Sequence, residues 1–145
     1  MSGHPTLKLP TERLTQLREM AANMGGVNMS EVLAKLVEFA QSEGLIAHEI
    51  PGVKINKLSN GLVIKFDEEK STSFDFDQAE SLVNEIRAFL AGDRTSGTLT
   101  ADATLKGKGQ GIAIAIPATA PAKVFDRGLA AEFARLIEMH LPEAA

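Results

Sequence analysis

Fifty positions after "NGLVIKF" (residues 60–66) stands "QGIAIAI" (residues 110–116), and a related helical pattern follows each. "SFDFDQAESLVNEIRAFL" (73–90) is answered by "VFDRGLAAEFARLIEMHL" (124–141). A recurrence of this kind restricts what residues 53–141 can become: two strand-strand-strand-helix units in tandem, packed as one domain. Duplication and convergent patterning both account for it. In "VKINKLSNGLVIKF" the Asn60-Gly61 pair predicts a type I′ turn with Ser59 opposite Leu62. That register places Val53, Ile55, Leu62, Ile64 and Phe66 on one face. Lys54, Asn56 and Lys65 fall on the other, with Leu58 and Val63, whose outward position hints at a protein contact.

"STSFDF" alternates as a third strand, and Asp77 with Glu80 is expected to cap the next helix. Its apolar face is Ala79, Leu82, Val83, Ile86, Phe89 and Leu90. In the second unit, "GKGQG" (107–111) leads into a strand rather than a helix, so a Gly-rich hairpin turn is favoured over a phosphate loop. Asp126 is the expected N-cap, and Leu129, Phe133, Leu136 and Ile137 are expected to face inward. Pro117 and Pro121 count against a third strand there. "GDRTSGTLT" (92–100) reads as a polar connector between the units.

The first 46 residues follow another plan. "HPTLKLP" alternates apolar and polar residues with the period of a strand, and Pro10 stops it. "TERLTQLREMAANMGG" carries Leu14, Leu17, Ala21 and Met24 on one helical face and ends at Gly25-Gly26. A second helix opens at Asn28, with Glu31 at capping-box spacing, and closes at Gly44. Leu33, Leu36, Val37 and Ala40 form its stripe, and Val32 and Phe39 make that stripe wider than one neighbour can cover. A lone strand and an over-wide apolar face share one remedy, a second copy of the chain in an intertwined dimer.

These 46 residues resemble the ribbon-helix-helix fold of Arc-type and CopG-type repressors, from about residue 4 onward. The matching features are a short alternating strand ending in Leu-Pro, a first helix, a Gly-containing turn, and a polar cap with Ser-Glu opening the second helix. The resemblance implies a homodimer whose paired strands lie in the major groove of double-stranded DNA, with assembly beyond the dimer left open. Carried over by position, His4, Thr6 and Lys8 would contact bases, while Leu7 and Leu9 face the helices. Asn28, Met29 and Ser30, at the start of the second helix, would hold DNA phosphate.

The expected organisation is therefore α+β: a ribbon-helix-helix dimerisation and DNA-binding domain over 1–46, then an α+β domain over 47–145 built from units 53–91 and 103–141. The implied function is a dimeric transcriptional regulator, a repressor by resemblance, with a C-terminal part that oligomerises or senses. The alternative is an antitoxin or adaptor that dimerises through the N-terminal part and binds a protein partner through the C-terminal one. Charge argues against strong DNA affinity. Residues 1–50 hold Lys8, Arg13, Arg18 and Lys35 against Glu12, Glu19, Glu31, Glu38, Glu43 and Glu49.

Composition narrows the chemistry. The absence of cysteine excludes disulfides and thiolate metal sites. His4, His48 and His140 lack paired ligand spacing, so neither a metal nor a cofactor is expected, and metal sensing of the nickel-responsive kind is rejected. Asp67, Glu68 and Glu69 read as a solvated turn, and no Ser-His-Asp or Cys-His arrangement can be assembled. No enzyme is expected. No apolar run has the length of a signal peptide core or a membrane span, so the expected setting is cytoplasmic.

Overall fold

A computed structural model describes residues 6–92 and 98–142. Two helices come first, α1 (Thr11–Asn23) and α2 (Met29–Ser42). The first unit follows as β1 (Val53–Lys57), β2 (Gly61–Phe66), β3 (Thr72–Asp75) and α3 (Phe76–Leu90). The second unit is β4 (Thr98–Thr100), β5 (Ala103–Lys108), β6 (Gly111–Ala115), β7 (Lys123–Phe125) and α4 (Arg127–Glu138). The strands form two antiparallel sheets, β1-β2-β3 and β4-β5-β6-β7. The tandem plan expected from the sequence is present, and β4 lies inside what had read as a polar connector. Both prolines of the second unit fall between β6 and β7, where no ladder bond is lost.

The expected N-terminal strand is not there. Among the described residues nothing precedes α1 except a segment, residues 6–10, that pairs with no strand. Pro10 is the N-cap of α1, and Leu7 stands 81% exposed. The topology is helix-helix first. It is not the strand-helix-helix order of a ribbon-helix-helix protein, and the fold expected for residues 1–46 is overturned. With it go the groove-reading ribbon, the intertwined dimer, the double-stranded DNA partner and the antitoxin or adaptor built on that dimer. Alternation alone misled, because five residues can alternate in any extended segment that leads to a helix cap.

The two sheets repeat each other closely. Val53 pairs with Phe66 and Lys57 with Leu62 in the first unit, as Gly107 does with Ile112 in the second, an offset of fifty in both strands. Beyond the hairpins the offset becomes 51, with Leu62 opposite Phe74 and Ile112 opposite Phe125. The first hairpin register is shifted two residues from the one expected. Leu58 donates its N–H to the Gly61 carbonyl, so Ser59 and Asn60 make the turn, and neither has a positive φ. A shift of two keeps every side chain on its face, so the expected core face survives the wrong turn. Gly61 has a different reason to be glycine: a Cβ there would sit 2.1 Å from the Phe74 carbonyl oxygen. Gly111 meets Phe125 in the same way, at 2.2 Å.

Each unit enters its helix through an aspartate N-cap, Asp75 and Asp126, whose carboxylates accept from Gln78 N and Leu129 N. Asp75 closes a full capping box with Gln78, displacing the expected Asp77 and Glu80. The apolar faces of α3 and α4 pack against one another and the sheets, burying Leu82, Val83, Ile86 and Phe89 with Phe133, Leu136 and Ile137. Leu129, expected to face inward, is exposed at 39%. Phe66 from the first unit lies 5.5 Å from both Phe125 and Phe133 of the second, so one aromatic cluster joins the halves.

The helix pair carries the mark of an approximate two-fold. Arg87 of α3 donates twice to Glu138 at the end of α4, at 2.7 and 2.9 Å, and the two residues are counterparts at the 51-residue offset. A residue meets its own counterpart only near a two-fold axis. These hydrogen bonds hold the Glu138 carboxyl below its ordinary range and push the Arg87 guanidinium up. A carboxyl lowered on folding stabilises above its unfolded value, and that contribution is lost as pH falls through the lowered folded one. Both side chains are about half exposed, so the pair is worth at most about 1 kcal/mol. Glu138→Ala is expected to flatten the acid limb of stability against pH. The double reversal Arg87→Glu with Glu138→Arg should restore it, and urea unfolding between pH 3 and 7 reads both.

Candidate docking surface

The N-terminal helices are attached to the rest of the molecule by one face of α2. Glycine at position 128 lets α2 and α4 touch: a Cβ on Gly128 would lie 2.2 Å from the Ser30 carbonyl oxygen. The Gly128 N–H donates to Ser30 Oγ at 3.2 Å. Further along, Arg127 bonds Glu31 at 2.6 Å and reaches back to the Leu90 carbonyl, joining α2, α3 and α4. At the far end Gln41 is 3% exposed and Glu132 is 7%. The Gln41 amide donates to Glu132 Oε2 at 3.0 Å and to the Ala47 carbonyl at 3.2 Å. Its oxygen accepts from Arg135, which also pairs with Glu38. Among the described residues no buried side-chain nitrogen or oxygen lacks a partner, as burial requires.

The counterpart residues explain why α2 sits on α4 and leaves α3 alone. At the 51-residue offset, Gly128, Ala131, Glu132 and Arg135 correspond to Asp77, Glu80, Ser81 and Asn84. A helix that shows aspartate and glutamate where α4 shows glycine and alanine admits no close helix and stays solvated.

What α2 does not bury defines the surface. Val32 is fully buried, whereas Leu33, Leu36 and Phe39 are 50%, 38% and 63% exposed. Of the seven phenylalanines, six lie in or against the core, and Phe39 is the exception. Helix α1 packs on α2 and has no buried residue at all. Between residues 7–9, α1 and α2 runs an open cleft of about 810 Å³. Leu7, Leu9, Leu17, Met20, Leu33 and Leu36 line it, with Arg13 and Glu19 at its rim. A contiguous apolar surface of this kind, with a few charged side chains among its lining, is the usual form of a protein-binding groove.

The residues expected to contact DNA fall in two places. His4 lies outside the described residues. Thr6 and Lys8 are exposed in the unpaired segment beside the cleft. Asn28 is the N-cap of α2, accepting from the Glu31 N–H and from the Ser30 hydroxyl, while Met29 is the first helical residue. The Glu31 side chain leaves the expected capping box for Arg127. Asn28 also donates to Gln110 of the "GKGQG" turn at 3.2 Å, so the start of α2 is tied to the second unit.

The structure also brings together what spacing kept apart: His48 and His140 line one small cavity of about 260 Å³ with Glu49, Lys54, Asn56 and Leu136. Only the wide stripe on α2 pointed towards any of these surfaces. Among the described residues there is no cluster of three or more metal-ligating side chains, and no helix is long and apolar enough to cross a membrane. No family model, curated protein or solved structure matches this chain.

Two substitutions test the attachment. Gly128→Ala adds helix propensity, but its methyl must displace backbone. A net loss of about 1–3 kcal/mol is expected, with a melting temperature lower by about 3–10 °C. Gln41→Leu strips the buried Glu132 carboxylate of its amide donor, for an expected cost of about 1–3 kcal/mol in urea unfolding and faster amide exchange across residues 45–49.

Proposed function

We propose that this protein is a docking module whose α1–α2 cleft receives an amphipathic helix of another protein. One observation carries the reading: α1 is a 13-residue helix without a single buried residue, set beside a cleft lined by leucine. A helix of that length is marginal on its own, and its stability comes from apolar contact. The observed contacts supply little, so an occupant that fills the cleft stabilises α1 as it binds. Leu33 and Leu36 lie one helical turn apart, a spacing that engages side chains at i, i+3 or i+4 on an incoming helix. The mixed rim of Arg13 and Glu19 selects its orientation more than its affinity.

The tandem platform contributes rigidity, and the module performs no chemistry of its own. The proposal keeps the cytoplasmic setting, where a chain without cysteine loses nothing to a reducing environment.

Amide exchange with a leucine-lysine amphipathic helical peptide as probe tests this. In the free protein α1 is expected to exchange at least tenfold faster than α3, and the probe should slow α1 without changing α3. Leu33→Glu with Leu36→Glu is expected to abolish that protection and leave the melting transition within about 2 °C, because both positions are already solvated. A chain that is dimeric when pure, and made monomeric by the same pair, would assign the cleft to a second copy and overturn the reading.

A further inference from the structure

The two units differ in one place that their shared register makes visible. In the second unit Thr100 pairs with Ala103, and the ladder continues through Leu99 with Thr104 and Thr98 with Leu105, giving β4 its place on the edge of β5. The first unit begins the same ladder: Ile50 bridges Val53, and the Val53 N–H donates to the Ile50 carbonyl at 3.0 Å. It then stops. Glu49 and His48, where Leu99 and Thr98 stand fifty positions on, pair with nothing in β1, and β1 is an edge strand. Upstream, the Gln41 amide donates to the Ala47 carbonyl, and residues 46–49 form no strand.

The cavity of about 260 Å³ lies in the space thus vacated, between residues 48–49 and Val53–Asn56 of β1. Antiparallel pairing fixes which groups face it. Leu58 bonds Gly61 across the turn, so Asn56 and Lys54 turn their amides towards β2, whereas those of Ile55 and Lys57 point to the open edge. Leu105, the counterpart of Ile55, has its opposite number in Thr98.

We infer that the edge of β1 accepts an extended segment of a partner protein, seated antiparallel at Ile55 as β4 is seated at Leu105. The lining specifies its side chains. A residue opposite Ile55 shares the core-facing side of the sheet and enters the cavity towards Leu136 and His140, so a medium apolar side chain fits. Its two neighbours turn to the outer face beside Lys54, whose direct cross-strand partner is Lys65. Like charges opposite one another are unfavourable in a sheet, and acidic neighbours relieve that. The charged and titratable groups around the site are His48, Glu49, Lys54, Lys65 and His140, with Glu49 the one carboxylate among them. The occupant is an acidic-apolar-acidic strand. This site is separate from the α1–α2 cleft and stands or falls without it.

The probe is a terminally blocked peptide, Thr-Glu-Val-Glu-Thr, and the readout is residue-resolved amide exchange on the full chain. In the free protein the Ile55 amide is expected to exchange at least tenfold faster than that of Leu105, and saturating peptide should slow it by a similar factor. A peptide N-methylated at its central valine should give no protection, and Lys54→Glu should weaken the effect severalfold at unchanged melting temperature. An Ile55 amide already as protected as Leu105 without peptide would show that residues 48–49 close the edge themselves, which overturns the proposal. Absence of protection at millimolar peptide, or equal protection by the N-methylated peptide, overturns it too.

Discussion

The contact between Gly128 and Ser30 decides the layout of this molecule. A backbone oxygen occupies the space where any side chain on α4 would begin, so α2 lies against α4 at a distance only glycine permits. From that fixed point the Arg127–Glu31 and Gln41–Glu132–Arg135 bonds run along both helices in register. That side of α2 holds its two buried residues, Val32 and Gln41, and its other side faces outward with α1. The exposed leucines are a consequence of how well α2 is seated, not of a loose hairpin.

The second consequence lies downstream. By gripping the Ala47 carbonyl, Gln41 settles where the chain enters the first unit, and that entry differs from the one at the second. Two nearly equivalent sheets therefore end with unequal edges: one covered by β4, one bare beyond Ile50. Sheet proteins seldom leave an edge open without a charge to guard it, and the lysines at positions 54 and 57 fill that role in the absence of an occupant.

The tandem units were legible because period and spacing are properties of the sequence itself. The core face of the first hairpin survived an error in its turn, since a two-residue slip preserves parity, and Phe66 and Ile64 are buried as expected. The N-terminal segment was misread for the opposite reason. Leu7 and Leu9 alternate with Thr6 and Lys8, but pairing is a property of the neighbour, and residues 6–10 have none. Of the surfaces, the width of the stripe on α2 was readable from Val32 and Phe39. That His48 and His140 line one cavity was not, because the repeat says nothing of the linker before it that carries His48.

The ion pair at the two-fold carries an evolutionary implication. Positions 87 and 138 are counterparts, yet one is arginine and the other glutamate. Two separate copies of the first unit, docked as the halves are docked here, would set arginine against arginine; two of the second would set glutamate against glutamate. The opposed signs make each half complementary to its sibling and repellent to itself. Such a chain disfavours the docking of like halves, whether within a chain or between chains, and keeps the pairing of a first unit with a second.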